Sequence, residues 1–297
     1  MNGYENKSVA IILLNYNSYD YTEACVNSLK ASQYKKYKIV IVDNCSTDDS
    51  IQKLRKLESE LIHIIISPKN GGFAFGNNIG IEYAINEGFD YFLLLNNDTI
   101  VEKDFLDRLV SSACRNASDI TTCLIKYFSD KSLIWYAGGD IDWFNQRARH
   151  FGINTVYKKE LYTEDLQVSF VSGCCMLLSR QCVSKIGKLP EEYFMYYEDL
   201  DYCEKAFENN IKLVFCPEAI IYHCISASGG GNNSSFVIEW SNRSRRKFMK
   251  KYYYKVILPK RLLSFLFCEG KTIVRILLSS SRLIGLKAYF RSFSKIV

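Results

Sequence analysis

The sequence has little that would break a chain or staple it. Its 297 residues include only four prolines and sixteen glycines, which excludes a collagen-like or low-complexity chain. The first apolar run is followed by NYNSYD, with no G-x-G-x-x-G turn, and no G-x-x-x-x-G-K-[ST] loop occurs anywhere. A dinucleotide-binding dehydrogenase and a P-loop NTPase are therefore disfavoured. No two cysteines stand at C-x-x-C spacing, so a structural zinc site is not expected. The eleven cysteines are odd in number and scattered, and Cys25, Cys203 and Cys224 lie within apolar patterns. Residues 1–7 are polar and Val9 opens an apolar run of strand length, not a secretion signal. The expectation is reduced, buried thiols in a cytoplasmic protein.

Acidic charge is nearly missing from one end. Residues 241–297 carry 15 Lys and Arg against one acid, Glu269, a net of +14, while residues 1–240 carry −8. Such a split points to an anionic partner. Apolar pieces at 256–258, 262–267, 273–278 and 283–286 alternate with the basic residues. None approaches the roughly 18 residues needed to span a bilayer. Helical spacing with basic residues opposite apolar ones fits a helix lying on an anionic membrane surface. A helical cap packed on the core is the plainer alternative. Aromatic platforms suited to single-stranded nucleic acid are not evident, so no nucleic-acid partner is expected.

The remaining composition, 48% hydrophobic, suffices for one large core with or without a small appendage. Residues 9–14 (VAIILL), 38–42 (KIVIV), 62–66 (IHIII) and 91–95 (YFLLL) read as buried strands. Helices are expected at 21–31, from the DNCSTDD loop to about residue 60, and at 73–86 with Gly88 as C-cap. Strand–helix alternation with continuous apolar strands implies an α/β fold, a mostly parallel sheet flanked by helices. Beyond residue 115 the expected pieces are strands at 121–128, 168–172, 176–178, 212–215 and 219–223. A helix is expected from Glu198 to about Asn209, and a long basic one from Ser235. The partition is a catalytic domain, 1–255, and a basic amphipathic helical tail, 256–297.

Ligands of such sheets sit at the carboxyl ends of the strands. Those ends carry Asn15, Asp43-Asn44 and Asn96-Asn97-Asp98, with Asn70 in a nearby turn. Asp43 could accept from a ribose hydroxyl or a pyrimidine N–H, or cap its own loop. Asp98 stands where a hard divalent cation and a diphosphate would meet, or else caps a helix over 101–108. The segment EEYFMYYEDLDYCEKAF puts Glu198, Asp199 and Asp201 at a helix start. One of them could deprotonate a hydroxyl, although helix starts attract anions in any case. Tyr193, Phe194, Tyr196 and Tyr197 form either an acceptor wall or core. His223 closes a short apolar strand, as a metal or phosphate partner or as a satisfied strand-end histidine. His63 and His150 read as structural and loop residues.

The segments VAIILLNYNS, IVIVDNCSTDDS, NGGFAFGNNIG, YFLLLNNDT, VSGCCMLLSR, YFMYYEDLDYC and YHCISASGG occur in one order. Over about residues 8–255 that order resembles the family 2 glycosyltransferases, and within them the bacterial rhamnosyltransferase-like branch. The resemblance implies a GT-A fold, inversion at the anomeric carbon and a need for Mg2+ or Mn2+. It also implies a nucleoside-diphosphate sugar donor, with Asn15, Asp43, Asn44, Asn70, Asn97, Asp98 and His223 as donor contacts. Asp98, last of a D-x-D-type site otherwise reduced to asparagines, and His223 would hold the metal. Asp199 would be the base, with Glu198 beside it. L-rhamnose is the family-weighted sugar, and UDP-hexoses and UDP-N-acetylhexosamines stand as alternatives. The implied acceptor is a hydroxyl of a glycan or lipid-linked glycan in cell-surface polysaccharide synthesis, at the cytoplasmic face of the inner membrane. Related sequences often have Arg-Asn where this chain has Ser241-Asn242. Ser241 cannot neutralise phosphate, which leaves Arg243 or Arg245 for that role, or a different donor site. A catalytically weak nucleotide-sugar-binding scaffold subunit is the non-enzymatic alternative.

Overall fold

The computed structural model describes residues 3–224, 234–279 and 281–293. The end of the YHCISASGG segment, 225–230, lies outside the described residues. The apolar runs form β1 (Val9–Asn15), β2 (Tyr37–Asp43), β3 (Ile62–Ile66) and β4 (Tyr91–Asn96). Between them lie α1 (Tyr19–Lys30), α2 (Ser50–Leu54) and α3 (Gly72–Asn86). Then follow β5 (Thr99–Val101), α4 (Phe105–Asn116), β6 (Ile120–Tyr127), β7 (Ile134–Tyr136) and the hairpin β8 (Gly139–Asp142) and β9 (Arg147–His150). The sheet-forming part of the chain closes with β10 (Leu166–Gln167), β11 (Cys175–Ser179), α5 (Arg180–Ile186), α6 (Glu198–Glu208) and β12 (Leu213–His223). Then come α7 (Ser235–Lys251) and the two tail helices, α8 (Leu258–Leu277) and α9 (Arg282–Arg291).

One sheet runs in the order β10-β12-β6-β11-β4-β1-β2-β3, with β5 on β12 and β7 on β6. The β4-β1-β2-β3 half is parallel, as is the β12–β6 pair. β11 lies antiparallel to both β4 and β6 and joins the halves. This is a mostly parallel sheet flanked by helices with a C-terminal helical tail, the GT-A arrangement. In β1, residues 9–13 are fully buried, as expected of a strand covered on both faces. Gly80 lets α3 lie directly on the sheet, because a Cβ there would stand 2.5 Å from Ile12 Cγ2.

Some local expectations change. The helix after β2 stops at Leu54 and ends in a 3-10 turn at Arg55–Leu57, short of residue 60. Residues 168–172 are not a strand. The Val168 N–H is taken by Leu213 O and the Phe170 N–H by Gly139 O, so no continuous ladder forms. The strands expected at 212–215 and 219–223 are one strand, β12, with a register shift between Cys216 and Ile220. Pro217 falls there, where its missing N–H costs the ladder nothing. Residues 101–108 are not one helix: β5 pairs with β12, and α4 begins only at Phe105. All eleven cysteines are free, and most are buried.

The tail is tied down by its one acid. Glu269 of α8 accepts from Arg245 Nη2 (2.7 Å), from Arg246 Nε and Nη2 (2.9 and 2.8 Å) and from Tyr289 OH (2.5 Å). Arg246 also donates to Ser292 Oγ and lies 3.5 Å from the centre of the Phe293 ring. Burial alone would push the Glu269 carboxyl up; the Arg246 hydrogen bond and the Arg245 charge outweigh it and hold the pKa down at about 2. A depressed carboxylate stabilises the fold above its unfolded value. The contribution is therefore fully present above about pH 4.5 and is lost as pH falls toward about 2. Glu269→Gln leaves two buried guanidinium groups without a counter-ion, a change that costs about 3–5 kcal/mol in buried pairs. Urea unfolding at pH 7 should register that loss, and the gap from wild type should narrow as pH falls from about 4.5 toward about 2. A variant as stable as wild type at pH 7 would show that α8 is not held by this cluster.

Candidate active site

Parallel registration puts the polar strand ends side by side. Asn15 pairs in register with Asp43, and Leu14 with Asn96. The side chains there form a continuous network. Asp43 is fully buried and accepts from Asn15 Nδ2 (2.8 Å), Ser46 N (2.8 Å) and Ser46 Oγ (2.6 Å). Its carboxylate thus organises its own loop. Asn44 donates to Asn70 Oδ1 (3.0 Å) and Gly72 O (3.2 Å), tying the end of β2 to the start of α3. Asn97 donates to Ser18 Oγ and Thr22 Oγ1, both at 2.8 Å, and so joins the end of β4 to α1. The same two hydroxyls donate to Asn15 Oδ1.

Asp98 and His223, far apart in sequence, meet because β5 pairs with β12 and sets Thr99 opposite His223. His223 Nε2 lies 3.1 Å from Asp98 Oδ1, and both side chains are nearly buried. The edge of the His223 ring packs on Trp135, which contacts His150 in the same way. Trp135 escaped the sequence reading because a single tryptophan on a short edge strand carries no pattern. Two ligands of one octahedral cation, each about 2.0–2.1 Å from it and at right angles, stand about 3 Å apart. The Asp98–His223 spacing fits that arrangement. No group of three or more His, Cys, Asp or Glu able to hold a metal occurs among the described residues. A cation here would take its other oxygens from a diphosphate or water.

The α6 start separates its three acids by their surroundings. Asp201 points inward and is fully buried, accepting from Tyr193 OH (2.7 Å), Tyr252 OH (3.0 Å) and Lys251 Nζ (2.7 and 2.9 Å). It binds α7 to α6. Asp199 is half-buried and accepts from the backbone N–H groups of Gly173 (3.1 Å) and Leu200 (2.9 Å). Burial pushes its carboxyl up to about 6 against its backbone hydrogen bonds. Glu198 is buried, and its Oε2 has no hydrogen-bond partner among the described residues. Burial first, and then the Asp199 charge, push Glu198 well above the usual carboxylate range. A carboxyl pair with separated acidities, one titrating near neutrality, suits proton transfer.

Backbone strain aims this pair. Tyr196 and Tyr197 have φ of +67° and +72°, a conformation rare outside glycine and concentrated at functional sites. Gly72, with φ +87°, allows Phe194 O to accept from Phe73 N at 2.9 Å; a Cβ on Gly72 would lie 2.0 Å from that oxygen. Tyr193 is core, and Tyr197 packs against the core with its OH on Gln146 O. Phe194 and Tyr196 are half-buried, with Phe194 against Trp240. Arg243 is occupied by Glu239 and the carbonyl of Arg291, and Arg245 by Glu269. Gly173, which supplies an N–H to Asp199, was legible only as part of the VSGCCM segment.

Residues 10–187 match the family model for glycosyl transferase family 2. The chain belongs to that family. It is 26% identical over 210 residues to the low-salt glycan biosynthesis hexosyltransferase of Haloferax volcanii, covering 70% of this chain and 64% of that protein. It is 27% identical over 217 residues to rhamnosyltransferase WbbL of Escherichia coli, covering 70% of this chain and 80% of the relative. Among solved structures it resembles GalNAc-T7 crystallised with UDP, GalNAc and Mn2+, with a TM-score of 0.67 at 14% identity over 98% of this chain and 56% of the other. At that identity the likeness is one of fold. The chain thus spans somewhat less than two thirds of the haloarchaeal relative and just over half of GalNAc-T7.

Asp201 and Asp199 should separate in a stability measurement. Removing one partner of a buried charged hydrogen-bond set costs about 1.5–3 kcal/mol. Asp201→Asn should lower the urea midpoint accordingly. Asp199→Asn, which removes a charge that burial disfavours, should not lower it. The reverse order would make Asp199 the structural acid.

Proposed function

We propose that the chain is a metal-dependent inverting glycosyltransferase that moves a sugar from a nucleoside-diphosphate donor to a hydroxyl of a glycan or lipid-linked glycan in cell-surface polysaccharide synthesis. The observation that carries this reading is the meeting of Asp98 and His223 at the carboxyl edge of the parallel sheet, on the chain that also supplies an Asp199 carboxyl of pKa about 6. Asn15, Asp43, Asn44, Asn70 and Asn97 line that edge as the nucleotide side of the donor site. Asp98 and His223 are the residues that would hold Mg2+ or Mn2+, which when bound supplies positive charge to a leaving diphosphate. Asp199 takes the acceptor proton as the hydroxyl attacks the anomeric carbon, and a single displacement of this kind needs no enzyme nucleophile. Glu198, pushed well up by burial and the Asp199 charge, leaves Asp199 as the more acidic member of the pair. The likeness to WbbL supports L-rhamnose as the sugar. The hexosyltransferase relative supports a hexose donor as the second reading. A panel of dTDP, UDP and GDP sugars separates them.

Two variants test the assignment together. Asp98→Ala should lose the gain in nucleotide affinity that Mn2+ confers on wild type, as read by calorimetry. Asp199→Asn should bind donor as wild type does and lose about 10²–10⁴-fold in transfer rate, the usual worth of a general base. Because the group acts deprotonated, wild-type kcat/KM should rise as pH climbs through about 6 and then level off. A near-native rate in Asp199→Asn would move the base elsewhere, and unchanged Mn2+ dependence in Asp98→Ala would remove the metal role.

The same reading divides the chain into a catalytic domain over 1–255 and a tail over 256–297 that rests on the cytoplasmic face of the inner membrane. No helix among the described residues is long and apolar enough to cross a membrane. Yet Leu258, Leu262, Leu266 and Leu278 are each more than half exposed, beside Lys260, Arg261 and Arg275. Unpartnered apolar residues rimmed by cations suit an anionic lipid surface, where each nearby Lys or Arg contributes about 1 kcal/mol. Full-length protein should co-sediment with anionic vesicles, and a chain ending at Lys255 should do so less. High salt should weaken that binding without abolishing it, since screening acts only on the charges. Equal sedimentation of the two chains would remove the tail as anchor.

A further inference from the structure

A cavity of about 630 Å³ opens between α7, α8 and the turn of the β8–β9 hairpin. Among the described residues four cations line it, Arg147, Arg245, Lys271 and Arg275, and no acid does. Arg245 is buried and tied to Glu269. That acid is shared with Arg246, so the trio keeps a net positive charge. Arg147, Lys271 and Arg275 have no carboxylate within ion-pair distance among the described residues. Asp142, in register with Arg147 across the hairpin, accepts instead from the backbone and side chain of Asn145.

Lys271 and Arg275 stand one turn apart on α8, a spacing at which like charges destabilise a helix. Their cost to the fold is offset if both face an anion. The cavity is not purely polar. Leu278, a further turn along α8, forms part of its wall and is 83% exposed, so the cations adjoin an uncovered apolar surface. Tyr197 also lines it, two residues before Asp199 and held in its strained conformation. The cavity therefore lies beside the candidate base and is built by elements other than β1, β2 and β4.

We propose that this cavity binds the phosphate or diphosphate group of an acceptor whose other end is an apolar chain lying along α8. The inference rests on the transfer reading above for the word acceptor, but the anion site stands on its own residues. A phosphate between Arg147, Lys271 and Arg275 would make charge-assisted hydrogen bonds. The adjoining leucine surface would cover the first part of the chain, and a sugar carried on that phosphate would point past Tyr197 toward Asp199.

Farnesyl diphosphate is the probe, with farnesol and inorganic pyrophosphate as controls. Binding is read by calorimetry on the full chain and on an Arg147→Ala/Lys271→Ala double variant. Both side chains are exposed, so the variant should fold, and its unchanged affinity for nucleoside diphosphate with Mn2+ is the check. Farnesyl diphosphate should bind wild type at least tenfold more tightly than either control, lose at least tenfold in the variant, and stay bound under saturating nucleoside diphosphate and Mn2+. Equal binding by wild type and variant would overturn the site. Displacement by the nucleotide would place the probe in the donor cleft and overturn it as well. Pyrophosphate binding as tightly as farnesyl diphosphate would mark a free-phosphate site, and farnesol doing so would mark apolar contact alone; either outcome overturns the proposal. Failure of wild type to bind any nucleoside diphosphate would remove the transfer reading while leaving these outcomes to decide the cavity.

Discussion

The arrangement of the site depends on the parallel pairing of β1 with β2 and β4. Parallel strands end at the same edge, so the polar residue that stops each buried run must emerge beside its neighbours. Asn15, Asp43 and Asn96 are placed together in this way before any side chain makes a bond. The side-chain network then consolidates the edge, since Asn97 and Asn15 share the Ser18 and Thr22 hydroxyls and Asn44 reaches Asn70. The one partner brought from elsewhere is His223, and it arrives through β5, a strand of only three residues.

Buried carboxylates in this protein divide by how fully their oxygens are bonded. Asp43, Asp201 and Glu269 each accept three or more hydrogen bonds, and each holds elements together. Asp199 accepts two from the backbone of its neighbours, and Glu198 leaves an oxygen without a partner among the described residues. Low dielectric with few donors raises a carboxyl's pKa, and that condition is met at the start of α6. The strained tyrosines preceding it are tolerated because Gly72 gives the chain room to pass α3.

The tail obeys the same electrostatic logic with opposite sign. Its excess of cations cannot all be neutralised by one glutamate, and the two arginines nearest the core take that glutamate between them. Arg243 and Arg291 share Glu239, and Lys251 and Lys255 reach acids of α6; Lys260, Lys271 and Arg275 have no carboxylate within ion-pair distance among the described residues. They sit among leucines that are mostly exposed among the described residues.

Much of this was legible in the linear sequence. Runs such as VAIILL and YFLLL specify buried strands because no other short element tolerates so many consecutive apolar residues. Their alternation with helices specifies a mostly parallel sheet, and hence an edge where Asp43 and Asp98 belong. The charge split marked the tail as a separate kind of surface. Tertiary structure alone decided the rest. Glu198, Asp199 and Asp201 are near neighbours of like type, and only their packing separates a partly exposed carboxyl from one locked by two tyrosines and a lysine. Arg245 and Arg246 read as tail charge, yet they are buried because Glu269 meets them from α8. Trp135 gave no local signal and Gly173 only its place in the VSGCCM segment, since they act by touching His223 and Asp199, which are distant in sequence. Periodicity encodes which face of an element is buried; what that face meets is set by long-range pairing, which no window of sequence contains.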